Sequence, residues 1–141
     1  MTSILQLSDT HICPEGVRLG GRVETAEVLD RLVHRIKGDK AAFGRLGAVV
    51  VSGDISEDGS ADSYARFRTS LAALDMPVYV VPGNHDLREP MRVAFRADGY
   101  LPIAGPLNWH QQIGDIHLLG LDTLIEGEGG GRLEPETLNF L

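Results

Sequence analysis

Three short apolar runs, Ile4 to Leu7, Ala48 to Val51 and Val78 to Val81, are separated by two segments of helical period. This alternation narrows the folds open to the chain more than any other feature. The runs are too short for buried helices and rich in β-branched residues, so they read as strands apolar on both faces, as in a buried parallel sheet. Between the first two, Ala26, Leu29, Val33 and Ile36 recur at steps of three, four and three, which sets one apolar stripe on a helix with Gly38 as its stop. Between the second and third, Tyr64, Phe67, Leu71 and Leu74 predict a helix over 61–74, with Ser60 able to cap its amino end. Strand, helix, strand, helix, strand implies right-handed βαβ crossovers and an α/β fold, a βαβ sheet with flanking helices.

Beyond Asp86 the pattern changes. A short helix is predicted around Glu89 to Arg96, followed by strands over 107–113 and 116–121. The Gly114-Asp115 pair between them favours an antiparallel hairpin. The tract from Gly127 to Gly131 lacks the lysine and hydroxyl residue of a phosphate-cradling loop and reads as a flexible connection without a catalytic role. Pro135 suits the first turn of a further helix.

With 141 residues, 43% of them hydrophobic, residues 1–141 read as a single domain. The formal charge of -7 disfavours a nucleic-acid polymer as partner, because phosphate-backbone binding needs a positive surface. It does not exclude a small anionic substrate at bound cations, which reverse the local potential. Cys13 is the single cysteine, so no internal disulfide and no cysteine-rich zinc site is expected. Without a leader-like segment or an apolar run of spanning length, a cytoplasmic location and no membrane partner are expected.

Each apolar run is followed at once by residues that bind hard metals: Asp9-Thr10-His11, Gly53-Asp54 and Gly83-Asn84-His85-Asp86. Ligands of α/β sheets bind beyond the carboxyl ends of the strands, so three loops leaving one edge can bring Asp9, His11, Asp54, Asn84 and His85 together. Carboxylates, amide oxygens and imidazoles suit Mn²⁺, Fe²⁺ and Mg²⁺ better than softer ions. Asp9 and His11 alternate by two, so both can point the same way as the chain leaves the strand. Asp54, with two oxygens, could bridge two ions, and Asn84 offers a neutral oxygen to the second. His85 could stabilise or protonate a phosphoryl oxygen. Asp86 either fixes its tautomer by a hydrogen bond or caps the helix that follows. Two ions roughly 3.5 to 4 Å apart can hold a hydroxide for in-line attack at phosphorus.

These motifs, in this order and between βαβ elements, resemble those of the calcineurin-like metallophosphoesterases. The stretches Leu7-Ser8-Asp9-Thr10-His11, Val51-Ser52-Gly53-Asp54-Ile55 and Val81-Pro82-Gly83-Asn84-His85-Asp86 are similar to the branch of cyclic-nucleotide and glycerophosphodiester phosphodiesterases. Leu121-Asp122-Thr123 and Gly131-Arg132-Leu133 resemble its middle section. The resemblance implies that Asp9 and His11 bind the first metal, Asp54 bridges, Asn84 binds the second, and His85 assists at the phosphoryl group; Asp86, beside His85, is the second candidate for a part in catalysis. It also implies a four-layer α/β/β/α sandwich. The family's later histidine ligands, one after a further strand and a pair in Gly-His-x-His, do not occur in the sequence. The expectation is therefore an amino-terminal portion of a larger protein, or a shortened relative, that lacks the carboxyl-terminal part and much of the second sheet.

The resulting expectation is a metal-dependent hydrolase. It would use a hydroxide activated by two divalent ions (Mn, Fe, or Mg or Zn) on a small phosphodiester, a cyclic nucleotide or glycerophosphodiester. The alternatives are a phosphomonoesterase or nucleotidase, and an inactive metal-binding or interaction module. Homo-oligomer formation is a further expectation, because open strand edges and uncovered apolar surface invite pairing. Among other residues, Cys13 reads as a buried thiol, His34 as a surface residue, and Trp109 as core or edge packing. His117, on one strand face with Leu119 and Leu121, reads as packed or hydrogen-bonded; with His110 it is the only candidate to replace the absent ligands. Arg18 and Arg22 are ordinary loop arginines.

Overall fold

A computed structural model describes residues 2–141. Strands β1 (Ser3–Leu7), β2 (Leu46–Ser52) and β3 (Val78–Val81) form a parallel sheet in that order, connected by helices α1 (Thr25–Gly38) and α2 (Ala61–Ala72). Because strand order follows chain order, two right-handed crossovers travel in one direction and leave both helices on one face. The helical stripes meet the sheet there: Ala26, Leu29, Val33 and Ile36 of α1 share a core with Tyr64, Phe67 and Leu71 of α2 and with Val49, Val51 and Val80 of the strands. Phe67 is fully buried, and its truncation to alanine would cost about 3–5 kcal/mol. Ser60 caps α2 as its sequence position predicts, its Oγ accepting from the Ser63 N–H at 3.2 Å.

The strands are not buried equally on both faces. Gln6 and Ser52, on the face turned away from the helices, are exposed and hydrogen-bonded to each other at 2.8 Å. Part of that face is covered by the expected hairpin, β4 (Trp109–Ile113) and β5 (Ile116–Gly120). Trp109 anchors it: its indole N–H donates to the Val80 carbonyl at 2.6 Å, and its ring lies 5.4 Å from Tyr79 and 5.7 Å from Tyr100. Gly120, paired across the hairpin with Trp109, leaves room for that indole, since an added Cβ would fall 2.1 Å from it. At the other end, Ile113 fills the space over Gly47, the extra residue where the β1–β2 register shifts.

Helix α3 (Arg88–Ala94) follows the third strand's loop and packs beside α2; a 3-10 turn, Arg96–Asp98, continues it. Helix α4 (Pro135–Phe140) begins on Pro135. Cys13 is buried and His34 exposed, as expected. His117 is exposed and hydrogen-bonded, one of the two expectations: it stacks on His110 with their nitrogens 3.0 Å apart, and neither histidine belongs to the metal-capable groups among the described residues. Among the described residues no helix is long and apolar enough to cross a membrane.

Candidate metal centre

The loops after β1 and β2 continue to pair beyond the regular sheet. Asp9 N–H donates to Gly53 O at 3.1 Å, His11 N–H to Asp54 O at 2.9 Å and Ile12 N–H to Ile55 O at 2.9 Å, and Glu57 N–H returns to Ile12 O at 2.9 Å. This zipper brings the first two clusters side by side although they lie over forty residues apart. Within it Asp9, His11 and Asp54 all take left-handed backbone conformations, with φ of 55°, 41° and 48°. Non-glycine residues seldom adopt that region, and such strain gathers at functional sites. Asp9 and His11 thus converge through left-handed turns; the strand alternation expected from their spacing is not how they meet.

The third loop closes on the second through two facing glycines. Gly53 has φ 97°, and Gly83 lies so near that an added Cβ would sit 2.2 Å from the Asp54 N and 2.3 Å from its Oδ1. No side chain fits there, so the Gly83-Asn84-His85-Asp86 loop rests directly on Asp54. The His85 N–H donates to Asp54 Oδ1 at 2.9 Å, which fixes the carboxylate's direction.

The donor atoms assemble accordingly. His11 Nε2 lies 3.9 Å from both Asp9 Oδ1 and Asp54 Oδ2. These three residues form one group able to hold a cation, and His11, Glu57 and His85 form another. Asn84 lines the same cavity as Asp9 and Asp54, of about 290 Å³. Asp9, Asp54 and Asn84 thus border one space, His11 reaches two of them from the neighbouring cavity that Asp9 also lines, and the hard oxygen and imidazole donors of the four fit divalent ions.

Glu57 was not anticipated. Its Oε2 accepts from His11 Nδ1 at 2.9 Å and lies 3.5 Å from His85 Nδ1, while its backbone carbonyl lies 3.0 Å from that same Nδ1. A carboxylate and a carbonyl can only accept, so both histidines carry hydrogen on Nδ1. The two rings meet edge to face at 4.8 Å. The hydrogen bond to the Glu57 carbonyl raises the His85 pKa above its ordinary value; partial burial opposes this, and the Glu57, Asp54 and Asp86 charges reinforce it. The sequence signal for Glu57 was its place three residues after Asp54, which becomes meaningful once the loops are known to zip.

Asp86 takes neither role expected of it. Only 1% exposed, its carboxylate accepts from the N–H groups of Ile55, Ser56 and Gly83 and from the hydroxyls of Ser56 and Tyr64. It hydrogen-bonds neither His85 nor the start of α3, whose N-cap is Leu87 without a side-chain bond. Its carboxylate ties the second and third loops together from beneath. Burial first, and the Asp86 charge second, push the Tyr64 phenol well above its usual range.

A family model for calcineurin-like phosphoesterase matches residues 2–139. The chain belongs to that family. Among curated relatives it is 38% identical over 140 residues to the 3',5'-cyclic adenosine monophosphate phosphodiesterase CpdA of Pseudomonas aeruginosa, covering 98% of this chain and 47% of the relative. It is 30% identical over 138 residues to a probable glycerophosphodiester phosphodiesterase GpdQ of Arcobacter nitrofigilis, covering 98% and 50%. To the CpdA of Vibrio vulnificus it is 33% identical over 141 residues, covering 98% and 48%. The chain spans about half the length of the curated relatives it matches. Its parallel sheet with flanking helices is consistent with part of a calcineurin-like phosphoesterase fold.

Proposed function

We propose that this calcineurin-like chain carries the principal metal-binding loops of a cytoplasmic, metal-dependent phosphodiester hydrolase acting on a small phosphodiester, a cyclic nucleotide or a glycerophosphodiester. The observation that carries this reading is the placing of Asp9 Oδ1 and Asp54 Oδ2 each 3.9 Å from His11 Nε2, beside a cavity that Asp9, Asp54 and Asn84 line. Asp9 and His11 would hold one ion, Asn84 a second, and Asp54 both. Two divalent ions, of manganese, iron, magnesium or zinc, would when bound neutralise charge on the phosphoryl oxygens and make water a better nucleophile near neutral pH.

The protein's own groups supply the rest. Glu57 keeps the His11 proton on Nδ1 and so presents the Nε2 lone pair to a cation, as carboxylates behind metal-binding histidines do. His85, whose Nδ1 meets the Glu57 carbonyl at 3.0 Å, is held beside the Asp54 carboxylate and would face a phosphoryl or leaving oxygen with its Nε2 edge; the same hydrogen bond raises its pKa, which favours proton donation there. Asp86 keeps the second and third loops in register, a positioning role at a distance from the reacting atoms.

Parallel assays with bis(4-nitrophenyl) phosphate and 4-nitrophenyl phosphate, in the presence of manganese, test the reading. The diester should be turned over faster. Faster hydrolysis of the monoester would replace it with a phosphomonoesterase or nucleotidase, and metal binding without hydrolysis of either would leave a binding module.

A further inference from the structure

The wall of the cavity facing Asp9, Asp54 and Asn84 is formed by Thr123, Leu124 and Gly129 to Gly131. The backbone of this wall is fixed. Leu124 and Gly131 form an antiparallel bridge, the Arg132 N–H donates to Thr123 O at 2.8 Å, and the Glu128 N–H donates to Ile125 O at 3.0 Å. Beneath it, the fully buried carboxylate of Asp122 receives both arms of Arg88 at 2.7 and 2.9 Å, so the wall is tied to the residue that opens α3, two places after Asp86.

The glycines of this wall differ in what the fold demands of them. Gly127 has φ 80°, a conformation that suits glycine, and Gly131 sits where a Cβ would press on the Thr123 carbonyl at 2.8 Å. Neither reason applies to Gly129 or Gly130. Their backbones lie outside the left-handed region, and an added Cβ at either would meet nothing within 4 Å. Glycine costs conformational entropy on folding, and at these two positions local structure gives nothing in return. Both line the cavity beside the metal-ligand candidates, and neither brings a side chain to its rim.

We infer that Gly129 and Gly130 are specificity-determining positions: their bare backbone gives the larger ester group of a phosphodiester its place beside the phosphorus. The inference rests on the phosphodiesterase reading and sharpens it. A side chain at either position would project into the open space and compete with a bulky ester more than with a small one.

Gly130→Leu and Gly129→Leu variants of the protein test it, with thermal melting and metal content as controls for the fold and for the ligand side. The readout is the ratio of kcat/KM for bis(4-nitrophenyl) phosphate to that for methyl 4-nitrophenyl phosphate. A fall in this ratio of about tenfold, at unchanged metal content, is the expected result. Equal values for wild type and both variants would overturn the inference. Calorimetric binding of phenylphosphonate and of inorganic phosphate, neither needing turnover, separates the two layers. If the wild-type protein hydrolyses neither diester but the variants lose phenylphosphonate selectively, the phosphodiesterase reading falls and the open wall stands. If both ligands bind the variants as they bind the wild type, the open wall falls whatever the turnover.

Discussion

The wall of the cavity that carries Asp9, Asp54 and Asn84 is cross-tied by backbone hydrogen bonds, two facing glycines and the buried Asp86 carboxylate, whereas the wall across from it presents bare glycine backbone. The first wall stores strain, with three non-glycine residues in left-handed conformations, and needs those ties to keep it. The second is anchored through Asp122 and Arg88 at its base, and where Gly129 and Gly130 line the cavity it carries no side chain. The difference teaches that rigidity and openness are divided here between the two walls of one cavity. Substitutions on the first wall should cost stability and metal affinity, and substitutions on the second should change selectivity with little effect on the fold.

The largest effect is expected from Asp86→Ala, which strands buried donors of the second and third loops together. Urea unfolding should show a loss of about 3–5 kcal/mol. A loss below about 1 kcal/mol would mean that the loops hold without this tie. Next comes Gly83→Ala, whose Cβ would lie 2.2 Å from the Asp54 N. The third loop must then back away, at a cost of about 1–3 kcal/mol, and calorimetry should show weakened manganese binding. Wild-type manganese affinity in that variant would refute the direct seating of the loop on Asp54.

Glu57→Gln spares the fold but removes the charge behind His11. Manganese affinity should fall by about 10- to 100-fold, and an unchanged affinity would remove Glu57 from the account. The alkaline limb of stability is a smaller probe of the same tied wall. Burial raises the Tyr64 pKa above the ordinary 10.0, so the unfolded chain gives up this proton more readily than the folded one. This contribution is fully present below pH 10 and is lost as pH rises through the folded value. Tyr64→Phe should flatten that decline in pH-dependent unfolding. The smallest effect belongs to the open wall: Gly129→Ala should leave stability unchanged or raise it by about 0.4–1 kcal/mol, and a clear loss would show that the fold needs this glycine after all.

Much of the first wall was legible in the sequence because short-range rules govern it. The apolar stripes of α1 and α2, the Ser60 cap and the Gly114-Asp115 turn each depend on a few neighbouring residues, and strand, helix, strand order then fixes which loops share an edge. The mutual approach of Asp9, His11, Asp54 and Asn84 followed from that topology. What was not legible depends on contacts between loops. Glu57 gains its place only through the parallel zipper of residues 9–12 with 53–57, and Asp86 turns inward because backbone N–H groups from another loop need a buried acceptor. The Gly127 to Gly131 tract looked like a connection, since nothing local says that its far side faces Asp54. Likewise the runs read as apolar on both faces, while Gln6 and Ser52 lie on a face that the hairpin covers only in part.

Divalent-ion content measured alongside hydrolysis, in the wild-type protein and in Asp54→Ala, addresses the central claim most directly. The account predicts that wild type holds two manganese ions per chain and hydrolyses bis(4-nitrophenyl) phosphate only when they are supplied, and that Asp54→Ala loses both properties together. Full ion content in Asp54→Ala, or hydrolysis by metal-stripped protein, would contradict it.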